Sequence, residues 1–154
     1  LRFGRFAVPV INDRPEYKFE LGKGIQLREG TAVTIIANGM MVQMALEAAE
    51  QLAAEGIPAR VVDMHTIKPL DTELVLKAAK ETGCIVTSEE ANVIGGLGSA
   101  VAEFLAGTYP VPVVRHGVND EFGRSGEAKA VLKAFDLTAD GIIAAVKKAL
   151  KLKK

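Results

Sequence analysis

The sequence contains no tryptophan, one cysteine and two histidines in 154 residues, and its aromatic share is 5%. One cysteine excludes an intrachain disulfide and any multi-cysteine zinc or iron–sulfur centre. No H-x-H, H-x-x-x-H or EF-hand spacing occurs, so a resident metal site is not expected. Net charge is also missing: 19 Lys plus Arg balance 19 Asp plus Glu, which leaves no field to favour nucleic acid or an acidic membrane. No apolar run approaches the roughly 20 residues that span a bilayer, and no signal-peptide pattern opens the chain. The expectation is a soluble protein of a reducing, cytoplasmic compartment, with Cys84 acting as a small buried hydrophobe.

What is present suits one α/β domain: 49% hydrophobic residues, 25% charged residues and 15 glycines spread along the chain. Residues 32–37 are β-branched and nearly all apolar, as in a strand covered on both faces. Asn38-Gly39 breaks that run. Met41, Met44, Ala45, Ala48, Ala49 and Leu52 then recur at helical spacing, with Gly56 at the left-handed cap and Pro58 beyond it. The unit repeats as strand 60–64, helix 72–82 capped by Asp71 and stopped by Gly83, strand 85–88, a helix over 97–106 and strand 111–115. Helices over 127–135 and 138–150 follow, the second capped by Thr138, and Phe19, Leu21, Ile25 and Leu27 fit a short edge strand. Strands separated by single helices predict a mainly parallel sheet between helical layers. The lysines at 147, 148, 151, 153 and 154 complement the dipole of the last helix.

In open α/β sheets ligands bind beyond the carboxyl ends of the strands. Here those ends gather Asn38, His65, Glu89, Glu90, Asn92 and His116. Two readings follow: a general acid–base site, or polar residues at an interdomain surface, the latter favoured because no nucleophile with an obvious base joins the group. Gly96, Gly98 and Ser99, in the turn 95–99 that opens a helix, form a possible anion site through free amides, although no dinucleotide or P-loop motif is matched. In the loop 120–127, Phe122 stands among polar residues and either anchors an interface or turns inward over the core.

Several short stretches together resemble the C-terminal section of transketolases, most closely the form split into two shorter chains. They are Glu20-Leu21-Gly22-Lys23, Leu27-Arg28-Glu29-Gly30, Thr34-Ile35-Ile36-Ala37, Thr66-Ile67-Lys68-Pro69-Leu70-Asp71, Ile94-Gly95-Gly96-Leu97-Gly98-Ser99 and Phe122-Gly123-Arg124-Ser125-Gly126. The resemblance implies an α/β/α three-layer domain whose five-stranded mixed sheet has one antiparallel strand, placed near residues 26–28. It implies residues 1–11 as a remnant of the preceding pyrimidine-binding domain, 12–30 as linker and edge strand, 31–150 as the domain proper and 151–154 as a basic tail. On this resemblance the abrupt start at Leu1 is expected to lie inside a longer polypeptide.

For function the resemblance implies part of an enzyme that transfers a two-carbon ketol unit between sugar phosphates. The parent enzyme uses thiamine diphosphate with a divalent metal, Mg or Ca, held between the two domains absent from this stretch. The chain itself is then expected to hold no cofactor and no catalytic residue. Its partners would be the N-terminal thiamine-diphosphate-binding part and, in the parent assembly, a homodimer mate. Arg5, four residues before Pro9, is the implied sugar-phosphate contact, with Arg2 as the alternative. Phe6-Ala7 departs from the commoner Gln-Asn, and Ala91 stands where many split-form relatives carry histidine. Two other identities remain open: the matching domain of a 2-oxo acid dehydrogenase beta subunit or of deoxyxylulose-phosphate synthase, and a stand-alone nucleotide- or anion-binding module.

Overall fold

A computed structural model of the chain describes residues 4, 7–13, 15 and 17–153. The described residues form five strands and five helices in the order β1 (Ile25–Arg28), β2 (Val33–Ala37), α1 (Met41–Ala54), β3 (Ala59–Asp63), α2 (Thr72–Thr82), β4 (Ile85–Asn92), α3 (Leu97–Thr108), β5 (Val113–Val118), α4 (Ala128–Ala134) and α5 (Ala139–Leu152). The sheet order is β1-β3-β2-β4-β5, with only β1 antiparallel to its neighbour. This is the expected α/β/α architecture with its five-stranded mixed sheet.

The two helical layers follow from which faces are apolar. Val33, Ile35, Val61 and Val86 point one way, into a core shared with Met41, Ala45 and Leu52 of α1 and Ile142, Val146 and Ala149 of α5. Ile36, Val62 and Ile85 point the other way, against Val75 and Ala79 of α2 and Leu97, Val101 and Leu105 of α3. All five residues of β2 are buried, so its unbroken apolar run has a physical cause: each face of the strand meets a helix.

The helix signals work as expected where they are chemical. Asp71 Oδ1 accepts the Leu74 amide at 3.1 Å, and Gly83 adopts φ +69° to end α2. Thr138 Oγ1 accepts the Gly141 amide at 3.1 Å at the start of α5. Two boundaries shift for stated reasons. β5 starts at Val113, later than expected, because Pro112 has no amide to give the ladder; its carbonyl instead accepts Ile85 N at 2.9 Å. β4 runs on through polar Glu89–Asn92, past an irregularity after Ser88, because β5 remains beside it as far as the Asn92–Val118 pairing.

The strand connections reverse direction between β2 and β4. α1 leaves β2 for one face of the sheet and α3 leaves β4 for the other. That pair of carboxyl ends is therefore the topological switch point, where such sheets open a crevice.

Close backbone approach makes one glycine indispensable. A Cβ on buried Gly30, just before β2, would overlap the Ala59–Arg60 peptide. Gly107, inside α3, has nothing within 4 Å of the same position. Urea denaturation is expected to show Gly30→Ala losing about 2 kcal/mol or more, whereas Gly107→Ala gains about 0.5–1 kcal/mol from helix propensity.

Candidate functional site at the carboxyl edge

The switch-point crevice is occupied by the chain's own groups. Glu89, 1% exposed, reaches from β4 to the start of α3. Its Oε2 accepts Leu97 N at 2.7 Å and its Oε1 accepts Gly98 N at 2.8 Å. A carboxylate on two free amides at the positive end of a helix is a favourable, charge-assisted pairing. The turn 95–99 must be glycine-rich for this reason. A Cβ on Gly96 would run into the Glu89 carboxylate, and one on Gly98 would sit 2.6 Å from Thr87 Oγ1. Gly95 N donates to Ser99 Oγ at 2.9 Å, and Ser99 Oγ donates to Val93 O at 3.1 Å.

The anion candidate Gly96, Gly98 and Ser99 thus acquires a different occupant. The Leu97 and Gly98 amides that would hold a phosphate hold Glu89 instead. Sequence reasoning placed Glu89 among the edge residues without seeing this role. The signal was a buried-strand glutamate followed eight residues later by a helix whose first turn bears glycines.

The two histidines do not form an acid–base pair. His116 is buried, and its ring joins three elements: Nδ1 lies 2.9 Å from Ser88 Oγ on β4, and Nε2 lies 2.8 Å from the Asp136 carbonyl before α5. A carbonyl can only accept, so Nε2 carries the proton and Nδ1 accepts from the serine hydroxyl. Burial pushes the imidazole below its usual range, only partly opposed by the Asp136 carbonyl and carboxylate. His116 is a neutral structural tie with both nitrogens used. His65 follows β3, which two strands separate from β5, with its Nδ1 2.9 Å from Thr66 Oγ1 and its ring 4.9 Å from that of Phe19.

The rest of the edge is roofed by residues preceding β1. Gly4 lies beside the Glu90 carboxylate. Asn12 Nδ2 donates to Asp63 Oδ2 at 3.1 Å at the end of β3, and Ile11 packs on the core. Gly22 N donates to Thr66 Oγ1 at 3.3 Å and Gly24 N to Asp71 Oδ2 at 3.0 Å. Burial raises the Asp63 carboxyl above its ordinary range, against the opposing pull of the Asn12 bond and His65. A cleft of about 290 Å³ remains between this strap and His65, lined by Tyr17, Lys18, Glu20 and Lys23. Lys23 is already paired with Glu73 at 3.1 Å. Phe122, by contrast, points outward and is 97% exposed. Arg5 and its alternative Arg2 lie outside the described residues.

Two measurements test this geometry. Replacing Glu89 by Ala strands two amides and should cost about 3 kcal/mol or more in urea denaturation; a loss below about 1 kcal/mol would contradict the arrangement. For His116 the folded pKa lies below the unfolded value of about 6.5, so the neutral ring stabilises the fold at higher pH. That stability is lost as pH falls through about 6.5, by up to about 1.4 kcal/mol per unit, until the folded pKa is passed. His116→Asn, less stable at pH 7, should show a shallower loss over the same window.

Residues 22–142 match the family described as transketolase, C-terminal domain. The 6-deoxy-6-sulfo-D-fructose transketolase subunit of a Clostridium strain is 51% identical over 92% of this chain and 43% of its own length. The 1-deoxy-D-xylulose-5-phosphate synthase of Heliobacterium modesticaldum is 44% identical over 88% of this chain and 21% of its own. A solved split-gene transketolase, described as an inactive beta4 tetramer, superposes with a TM-score of 0.94 at 55% identity, covering 98% of this chain and 49% of that one. A Pichia stipitis transketolase shares the fold at a TM-score of 0.63 and 22% identity, over 84% of this chain and 18% of that one. The chain spans less than half the length of the curated transketolase subunit it matches. With the matched span covering the sheet, the crevice and most of the helices, this chain belongs to the transketolase C-terminal domain family.

Proposed function

We propose that the chain is the C-terminal section of a two-part transketolase, contributing structure and interfaces to an assembly that moves a two-carbon ketol unit between sugar phosphates. The observation that carries this reading is the internal use of the edge's acid–base groups. Glu89 is committed to α3, and both His116 nitrogens are bonded within the fold. Residues 1–11 belong, in this reading, to the preceding domain, and Arg5 supplies a sugar-phosphate contact there.

Transketolases are thiamine-diphosphate enzymes, so the fit of that group to this chain matters. Among the described residues no three His, Cys, Asp or Glu side chains gather to hold a metal ion. The glycine-flanked helix start that would suit a diphosphate is filled by Glu89. The residues present do not fit the group, and the cofactor is assigned to the N-terminal partner. Relatives named as transketolase subunits support a separate partner half, and the inactive beta4 tetramer supports a C-terminal half that self-associates and lacks turnover alone.

The deoxyxylulose-phosphate synthases are a second reading, resting on 43–44% identity over 84–94% of this chain. The split reading is preferred because the Clostridium transketolase subunit and the solved split-gene transketolase are 51% and 55% identical to this chain, against 43–44% for the synthases. Product chemistry separates the two. A 1-deoxy sugar carries a methyl group at C1, whereas a ketol transfer product carries hydroxymethyl. With thiamine diphosphate, Mg²⁺, a ketose phosphate donor and an aldose phosphate acceptor, the chain alone should give no turnover. Adding the cofactor-binding half should yield a hydroxymethyl product by NMR. Turnover by the chain alone would end this reading.

A further inference from the structure

β2 hands over to α1 through Asn38-Gly39, and the fold leaves the reactive groups of this dipeptide unused. The Asn38 main chain is held: its N–H donates to Ser88 O at 3.3 Å, and its carbonyl accepts Met41 N at 3.2 Å. Among the described residues its carboxamide has no hydrogen-bond partner. Asparagine is a favoured helix cap, yet α1 starts with no side-chain cap and no acid in its first turn. Gly39 is exposed at φ +55°, with nothing within 4 Å of the place a Cβ would take. No backbone carbonyl among the described residues takes its N–H. The bonds that close the turn, including Val42 N to Gly39 O at 3.2 Å, are at or beyond the long end of the usual range.

We propose that Asn38 is a site of spontaneous covalent modification, at which its side-chain amide becomes aspartate and isoaspartate through a cyclic imide with Gly39. The Gly39 nitrogen attacks Asn38 Cγ. The N–Cγ bond forms, the bond from Cγ to Nδ2 breaks, and the proton shed by Gly39 leaves with that nitrogen as ammonia. Water then adds to one of the two imide carbonyls and opens the five-membered ring. Opening at Cγ gives aspartate; opening at the main-chain carbonyl gives isoaspartate, in which the chain runs through the side chain. The net change is one water consumed, one ammonia released and one negative charge gained. Only water is needed, and nothing in the step depends on the ketol transfer proposed above.

The structure singles out this asparagine. Asn12 donates to Asp63 and precedes Asp13, and Asn119 precedes Asp120, so in both the attacking nitrogen carries a side chain beside it. Asn92 uses both ends of its amide, on Asp120 Oδ1 and Ile94 N, and precedes β-branched Val93. Asp140-Gly141 could close the same ring, but the Gly141 N–H donates to Thr138 Oγ1 at 3.1 Å and is buried in α5. The two products differ mechanically. Aspartate leaves the main chain as it was. Isoaspartate adds a methylene between β2 and α1, which displaces the Asn38 N–H from Ser88 O and loosens the tie between β2 and β4 at the switch point.

Ageing the full chain at mildly alkaline pH and physiological temperature, followed by peptide mapping, tests this. The peptide holding residues 38–39 should gain one mass unit and split into isoaspartate and aspartate forms, at least tenfold faster than Asn12, Asn92 or Asn119 convert and than Asp140 isomerises. Gly39→Ala should slow the step at least tenfold, with thermal melting to show that the variant is folded. Asn38→Ser, which has no amide to lose, should abolish the early gain in mass whatever becomes of the glycine variant. The melting midpoint of the aged chain should fall by about 2 °C or more as isoaspartate accumulates, while unaged Asn38→Asp, with its main chain unaltered, should keep its midpoint. Conversion at Asn38 no faster than at the other asparagines, or a mass gain that survives in Asn38→Ser, overturns the site. An aged chain that melts together with Asn38→Asp overturns the main-chain displacement.

Discussion

The grip of one buried carboxylate on one helix start determines what the rest of the carboxyl edge can do. Glu89 leaves a strand at the switch point, where an open sheet would otherwise offer helix amides to a ligand. By taking the Leu97 and Gly98 amides it fastens α3 to β4 and removes the most electropositive backbone feature from the crevice. Removing the glutamate would not open a ligand site at no cost, because buried amides without an acceptor are themselves destabilising. Gly96 and Gly98 follow from that commitment, since side chains there would collide with the carboxylate and with Thr87.

His116 makes the same choice on the other side of β4. Its neighbours, Ser88 directly across the ladder and the Asp136 carbonyl, fix a neutral tautomer and join β4, β5 and the approach to α5. A histidine that serves as a proton shuttle needs one nitrogen facing a substrate; this one has neither. The chain thus uses its most reactive-looking groups to hold elements together.

Much of this was legible in the sequence, and the unread part has a common cause. The strands and helices were visible because apolar period, Asp71, Gly83 and Thr138 act locally, within a few residues. A short edge strand through Ile25 and Leu27 was legible in the residues, but its antiparallel sense came only by resemblance, since β1 has a half-buried, mixed pattern that fixes no direction. What composition and periodicity missed is non-local. The glycine-bearing helix start eight and nine residues past Glu89 becomes a signal only once the strand end is known to face it, and nothing near His116 announces Ser88, 28 residues away. The residues around Phe122 fit an anchor and a core cover equally, because that choice depends on which way a loop turns. Pinning by Asn92–Asp120 and Arg124–Glu121 holds the loop while Phe122 points outward.

The same economy explains why apolar surface collects where polar residues were expected to dominate. Glu89, His116 and Asp63 are turned inward, and the strap that covers the edge presents Val8, Val10, Phe19 and Leu21 beside the exposed charges of Lys18 and Glu20. A face built this way offers a small polar ligand little from Glu89, His116 and Asp63, whose hydrogen bonds are already made within the fold. It gains substantially from a large apolar partner, where each buried CH₂ returns about 0.8 kcal/mol. Satisfying the edge internally and exposing its hydrophobic cover are therefore two consequences of one design, in which the polar groups of the strand ends serve the fold first.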